Sequence, residues 1–124
     1  MKIVLTEDMD EVKKVLYHPE IYPEIKGNAP DDFELPTKGV IYLAGYDPEL
    51  IGIACFHSYM DGLKYHPNVL PEHRGKSNEF IKRTLSNLVV PVYVEVPEVL
   101  EKLCIFHGFK AVDRNEKILM RLGA

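Results

Sequence analysis

Leu63-Lys64-Tyr65-His66-Pro67-Asn68-Val69-Leu70-Pro71-Glu72-His73-Arg74-Gly75-Lys76 is the stretch on which the reading of this chain turns. Its first half is strand-like and opens after Asp61-Gly62, a tight-turn pair. Beyond Pro71 the apolar period changes. Phe80, Ile81, Leu85, Leu88 and Val89 fall on one face of a helix, with Lys82, Arg83, Ser86 and Asn87 on the other. Pro91 ends that helix, and Val92-Tyr93-Val94-Glu95-Val96 reads as a short buried strand. Strand, helix, strand predicts a right-handed crossover, with 63–70 and 92–96 parallel.

Upstream, Met1–Leu5 reads as a first strand. Thr6 suits a helix cap, with Glu7, Asp8 and Asp10 in the positive first turn. Met9, Val12, Val15 and Leu16 recur at helical spacing, and Pro19 stops the helix by Tyr17 or His18. Residues 19–39 hold four prolines and two glycines, which predicts a long loop with one helical turn near Asp31–Glu34. Val40–Ala44 and Leu50–Tyr59 are strands joined as a hairpin across Gly45–Glu49. Downstream, Pro97 opens a last helix with Val99, Leu100 and Leu103 inward, and Gly108-Phe109 closes it as a Schellman ending. Phe109–Val112 and Lys117–Leu122 form a final hairpin.

Composition sets the outer bounds. A chain of 124 residues with 46% apolar and 27% charged residues predicts one globular domain over 1–124. No apolar run reaches the roughly 20 residues a bilayer span needs, so a soluble, cytoplasmic protein without a membrane partner is expected. A net charge of −4 argues against a dedicated nucleic-acid partner. Nine carboxylates against four lysines in residues 1–36 contrast with a net basic segment at 72–83. Cys55 and Cys104 lie in apolar stretches without CxxC spacing and read as reduced core thiols. The five histidines lack HExxH or paired Cys/His spacing, so no metal site is expected.

The order β-α-β-β-β-α-β-α-β-β, with Gly108-Phe109 after the last helix, resembles the GNAT (N-acetyltransferase) superfamily over nearly the whole chain. Val69-Leu70-Pro71-Glu72-His73-Arg74-Gly75-Lys76 is similar to that family's V-x-P-E-x-R-G-K at the end of its fourth strand. More narrowly, His18-Pro19-Glu20-Ile21-Tyr22-Pro23 and His66–Pro71 resemble a group of bacteriophage-encoded members. The resemblance implies an α+β fold: a mixed, mostly antiparallel sheet with a βαβ crossover and flanking helices. It implies an acyl-CoA-dependent N-acyltransferase, with acetyl-CoA as cofactor and a small-molecule or protein amine as acceptor. The alternative it leaves is a catalytically inactive binding or virion protein, with a phage structural partner in the bacterial host cell.

The same resemblance distributes roles. Asn68, Val69, Arg74, Gly75, Lys76 and Ser77 fall on the family's cofactor-binding segment, where unpaired amides at a helix start cradle pyrophosphate. Glu20 and Tyr22 lie in the loop that borders the acceptor site, which makes them substrate-binding candidates. His66 on the fourth strand is the candidate general base, because an imidazole near pKa 6.5 accepts protons at neutral pH. His57 on the third strand is the second candidate. Cys104 stands where the family carries the tyrosine that protonates the leaving thiolate. The family's loop glycines are Ser77 and Glu79 here, and the asparagine opening its last helix is Pro97.

Overall fold

The computed structural model describes residues 1–123. In chain order the elements are β1 (Lys2–Thr6), α1 (Met9–Leu16), α2 (Tyr22–Lys26), β2 (Val40–Tyr46), β3 (Leu50–Tyr59) and β4 (Gly62–Val69). Then come α3 (Ser77–Leu85), β5 (Val92–Val96), α4 (Glu101–Phe106), β6 (Lys110–Arg114) and β7 (Ile118–Leu122). All seven strands join one sheet in the order β1-β2-β3-β4-β5-β7-β6. Every neighbouring pair is antiparallel except β4–β5, which is parallel, as the crossover spacing requires.

Two helix pairs cover the two faces. One core joins Val12, Val15 and Leu16 of α1 to Tyr42, Ala44, Ile53 and Cys55 of the sheet, with Ile21 and Leu35 from the long connection. The other joins Phe80 of α3 to Ala54, Phe56, Tyr65, Val94 and Met120, with Cys104 of α4 packed against it. Side-chain alternation along β3 sorts its residues between the two, Cys55 to the α1 face and Phe56 to the α3 face. Thr84 is the buried polar link on the α3 side. It shares a 2.5 Å hydrogen bond with the Tyr65 hydroxyl and donates to the Phe80 carbonyl at 2.9 Å.

Local chemistry moves four boundaries from their sequence expectation. Asp8, not Thr6, caps α1: its side chain accepts from the Asp10 amide, while Thr6 Oγ1 accepts from the Asp8 amide. The helical turn in the long connection is α2 at Tyr22–Lys26, where Pro23 sits at the start, not a turn at 31–34. Helix α3 stops at Leu85, because the Ser86 side chain bonds the Arg83 carbonyl and Asn87 takes φ +67°. Val89, outside the helix, is therefore 95% exposed. In the last helix Val99 and Leu100 face outward, since a 3-10 turn at Glu98–Leu100 shifts the phase. Gly108 does adopt φ +95°, with Phe109 N–H on the Cys104 carbonyl and Gly108 N–H on that of Ile105, the Schellman pattern.

Candidate active site at the divergence of β4 and β5

The parallel pair is short. Only Leu63↔Val92 and Lys64↔Tyr93 are in register, after which the two strands part. The start of the pair is pinned by the Leu63 amide on the Pro91 carbonyl at 3.0 Å. A side chain at Gly62 would overlap that same carbonyl, so glycine lets the strands meet here. Strand β5 then keeps full pairing with β7, and β4 with β3. A gap between β4 and β5 is the result.

His66 lies two residues past the last pair, opposite Cys55 of β3, and so points to the α1 face. By surface area it is exposed. His57 shares this face on β3. The two Nε2 atoms are 3.1 Å apart and the rings stack at 5.2 Å with 17° between their planes. His57 Nδ1 lies 3.1 Å from the Ser58 carbonyl oxygen. Desolvation against the sheet, then the charges of His57 and Lys64, hold His66 down at about 4. Glu95 works in the opposite direction. At neutral pH His66 is an uncharged imidazole.

Sequence reasoning missed the polar residues around this pair. Tyr93 donates to Asp61 at 2.5 Å, and Arg121 reaches the other Asp61 oxygen at 3.0 Å. Lys64 stands 3.8 Å from Glu95 and 4.8 Å from the centre of the Tyr59 ring. Asp61 is held below the usual carboxylate range by the Tyr93 hydroxyl and then by Arg121. The available signal was alternation: Tyr93 and Glu95 are the odd-parity residues of a strand whose even positions, Val92, Val94 and Val96, enter the core.

The β4–α3 turn differs from an open amide cradle. Pro71–Lys76 is a 3-10 helix running directly into α3, with His73 N–H on the Leu70 carbonyl and Ser77 N–H on that of Arg74. The helical start thus moves back from Lys76 to Pro71, and the amides the cradle would use are taken up within the turn. Side-chain donors remain. Arg74 is anchored through Nε to the Val69 carbonyl at 2.9 Å, which leaves its Nη groups directed elsewhere. Lys76 reaches the Asp47 carbonyl at 2.9 Å and its carboxylate at 3.5 Å. A side chain at Gly75 would meet nothing within 4 Å, so the turn is open on that side. Asn68 donates to the His66 carbonyl at 3.3 Å. An anion bound at this turn would be held by side chains such as the Arg74 Nη groups, not by backbone amides.

The remaining candidates are dispersed. Cys104 packs on the α3–α4 side, across the sheet from His66, and burial followed by Glu101 pushes its thiol up. Glu20 donates its amide to His18 Nδ1 at 3.1 Å, and Tyr22 packs edge-on against Tyr17 at 5.1 Å. Among the described residues neither has a hydrogen bond or ring contact with the histidine pair. Between α3 and α4 runs a groove lined by Asn78, Glu79, Lys82, Phe106 and His107. Cys55 is fully in the core, and desolvation raises its thiol to about 12. Among the described residues no three His, Cys, Asp or Glu side chains gather as a metal site, and no helix is long and apolar enough to cross a membrane.

Solved structures share this architecture. An acyl-CoA N-acyltransferase from Pseudomonas aeruginosa superposes with a TM-score of 0.75 at 16% identity, covering 99% of this chain and 100% of that one. An aminoglycoside 6'-N-acetyltransferase complexed with coenzyme A gives 0.64 at 16% identity, over 98% and 94%. A spermidine N-acetyltransferase variant from Vibrio cholerae gives 0.59 at 14% identity, over 98% and 92%. No family model matches the sequence, and no curated protein matches it. The fold is that of the GNAT acyltransferases.

Proposed function

We propose that this protein is an acyl-CoA-dependent N-acyltransferase that moves an acetyl group onto an amine. The observation that carries the reading is the two-residue β4–β5 pair, with an uncharged His66 just beyond it on the open face. A gap in a sheet has no structural benefit, since it leaves strand groups without ladder partners. It does admit a slender ligand arm. Acyl-CoA would supply the activated acyl group as a thioester. Arg74 and Lys76 would hold its phosphates, and the groove between α3 and α4 adjoins the helix they precede. His66 takes the proton that the amine must lose. The carboxylates at Glu20, Glu24, Asp31, Asp32 and Glu34, all exposed, favour a cationic amine as acceptor. That all seven strands belong to one sheet supports reading the chain as one domain.

A second reading, a protein that keeps the fold for binding without turnover, is favoured by the 3-10 turn that uses its own amides. Calorimetric titration with acetyl-CoA decides between them, followed by thiol release with polyamines, aminoglycosides and lysine peptides. Saturable binding together with amine-dependent thiol release supports the first. Binding of neither acetyl-CoA nor coenzyme A excludes it.

A further inference from the structure

The two histidines lock each other's tautomers. The Ser58 carbonyl oxygen carries no proton, so at 3.1 Å the Nδ1 of His57 must be the donor. Neutral His57 then has a bare Nε2. The contact at 3.1 Å between the two Nε2 atoms is a hydrogen bond only if His66 supplies the proton. Neutral His66 is therefore the Nε2–H tautomer, and its lone pair sits on Nδ1. No hydrogen bond among the described residues engages that Nδ1.

From this chain of donors we infer that His57 and His66 form a proton relay in which His66 Nδ1 is the accepting atom and His57 stores the charge. When an N–H bond of the amine breaks, its electron pair stays on nitrogen for the new bond to the acyl carbon, and the proton forms a bond to His66 Nδ1. The proton on His66 Nε2 crosses to His57 Nε2. Both ring nitrogens of His57 then donate, one to the Ser58 carbonyl and one to the now bare His66 Nε2. The charge comes to rest one residue deeper on β3, and His66 stays neutral facing the acceptor. Release runs the same path backward, returning the proton from Nδ1 to water. His57 is a positioning residue in this scheme, because it touches the reacting atoms only through His66.

The groups facing the pair are consistent with it. Lys64 of β4 and Lys117 of the β6–β7 connection oppose a cation at His66, whereas Glu95 of β5 favours one. A proton already held by His57 opposes a second on His66, in line with the downward direction at His66. The use of the relay in acyl transfer rests on the function proposed above; the tautomers do not.

Long-range proton–nitrogen correlation spectra of uniformly nitrogen-15-labelled protein at pH 7.5 read both tautomers without any substitution. The expected result is an Nδ1–H pattern for His57 and an Nε2–H pattern for His66. Nε2–H on both rings, or a fast mixture on His66, overturns the inference. In His57→Phe the His66 ring should lose its single tautomer and titrate upward from about 4 toward the ordinary value. An unchanged His66 titration in a folded His57→Phe protein also overturns it. Locked tautomers in a protein that transfers no acyl group would uphold the pair while removing the acyltransferase reading.

Discussion

The face that carries α1 and α2 is one continuous surface with two different halves. Over β2 and β3 it presents Tyr42, Ala44, Ile53 and Cys55, all buried beneath Val12, Val15 and Leu16. Further along the same face, β4, β5 and β7 present Lys64, His66, Tyr93, Glu95 and Arg121, whose covering contacts come from one another and from Asp61 and Tyr59. Backbone pairing continues from β2 through β3 to β4, and breaks off only beyond Lys64, between β4 and β5. What differs is cover. Where a helix packs, alternate residues are apolar and the surface contributes stability; where the alternate residues are ionisable and cover one another, the strands separate. Chemistry is placed at the edge of the core, where a charge remains solvated and a ligand has access.

The largest expected effect tests the covered half. Ile53→Ala, at a position with no exposure, should lower the unfolding free energy by about 2–5 kcal/mol. Lys64→Ala, in the polar half, loses an ion pair and a ring contact and should cost no more than about 1 kcal/mol. Urea denaturation of the two variants measures both. Comparable losses would mean that the polar half is also part of the core. A middle-sized effect is expected behind the sheet: Tyr65→Phe removes the hydroxyl shared with Thr84, at a cost of about 1 kcal/mol. That substitution loosens α3 without touching the face of the histidines.

His66 offers a sharper version of the comparison through pH. Its value in the folded protein, about 4, lies below that of a free imidazole, so the unfolded chain binds the extra proton between roughly 4 and 6.5. Stability from this residue is complete above 6.5, falls as pH drops through that window, and is flat below 4. His66→Gln should flatten this part of the profile, leaving thermal midpoints at pH 7.5 and 4.5 closer together than in the wild type. Solvent exposure keeps the effect to a few degrees. If amine acylation is detected, the same variant should reduce kcat by about 100-fold or more, the usual scale for a positioned base. An unchanged rate would exclude His66 from the reaction.

The antiparallel run β2-β3-β4, the parallel β4–β5 pair and the closing hairpin were legible in the sequence because they follow from period and punctuation, whereas the insertion of β7 between β5 and β6 was not. The Asp61-Gly62 turn, Pro71, the helical spacing of Phe80, Ile81 and Leu85, and Pro91 point to the crossover between the two parallel strands. The pairing of His57 with His66 was not legible. Both residues stood out as titratable groups on neighbouring strands, yet their contact depends on a diagonal register across β3 and β4 that spacing alone does not set. The form of the β4–α3 turn was hidden for a different reason. Pro71-Glu72-His73-Arg74-Gly75-Lys76 is compatible with an open loop or a 3-10 turn, and only the tertiary anchors at Val69 and Asp47 select between them.

The smallest effect concerns that turn. Glu79 occupies the first turn of α3, and a carboxylate about 5 Å from a phosphate is repelled by roughly 1–3 kcal/mol at an effective dielectric of 20–80. On that arithmetic alone, replacing it should tighten coenzyme A binding by up to about a hundredfold. The structure removes most of this gain. Glu79 Oε1 accepts from Arg83 Nε at 2.9 Å, so the carboxylate is directed along the helix toward Leu85 and is matched by a cation one turn on. A phosphate near Arg74 would meet the field of a pair, which falls off faster than that of a single charge. Glu79→Gln should therefore change the dissociation constant for coenzyme A by less than about threefold, whereas Arg74→Gln should weaken it by about tenfold through loss of a charged donor. Calorimetry on both variants measures the difference. A gain of tenfold or more in Glu79→Gln would place the phosphates against the first turn of α3, closer to the backbone than the 3-10 turn allows.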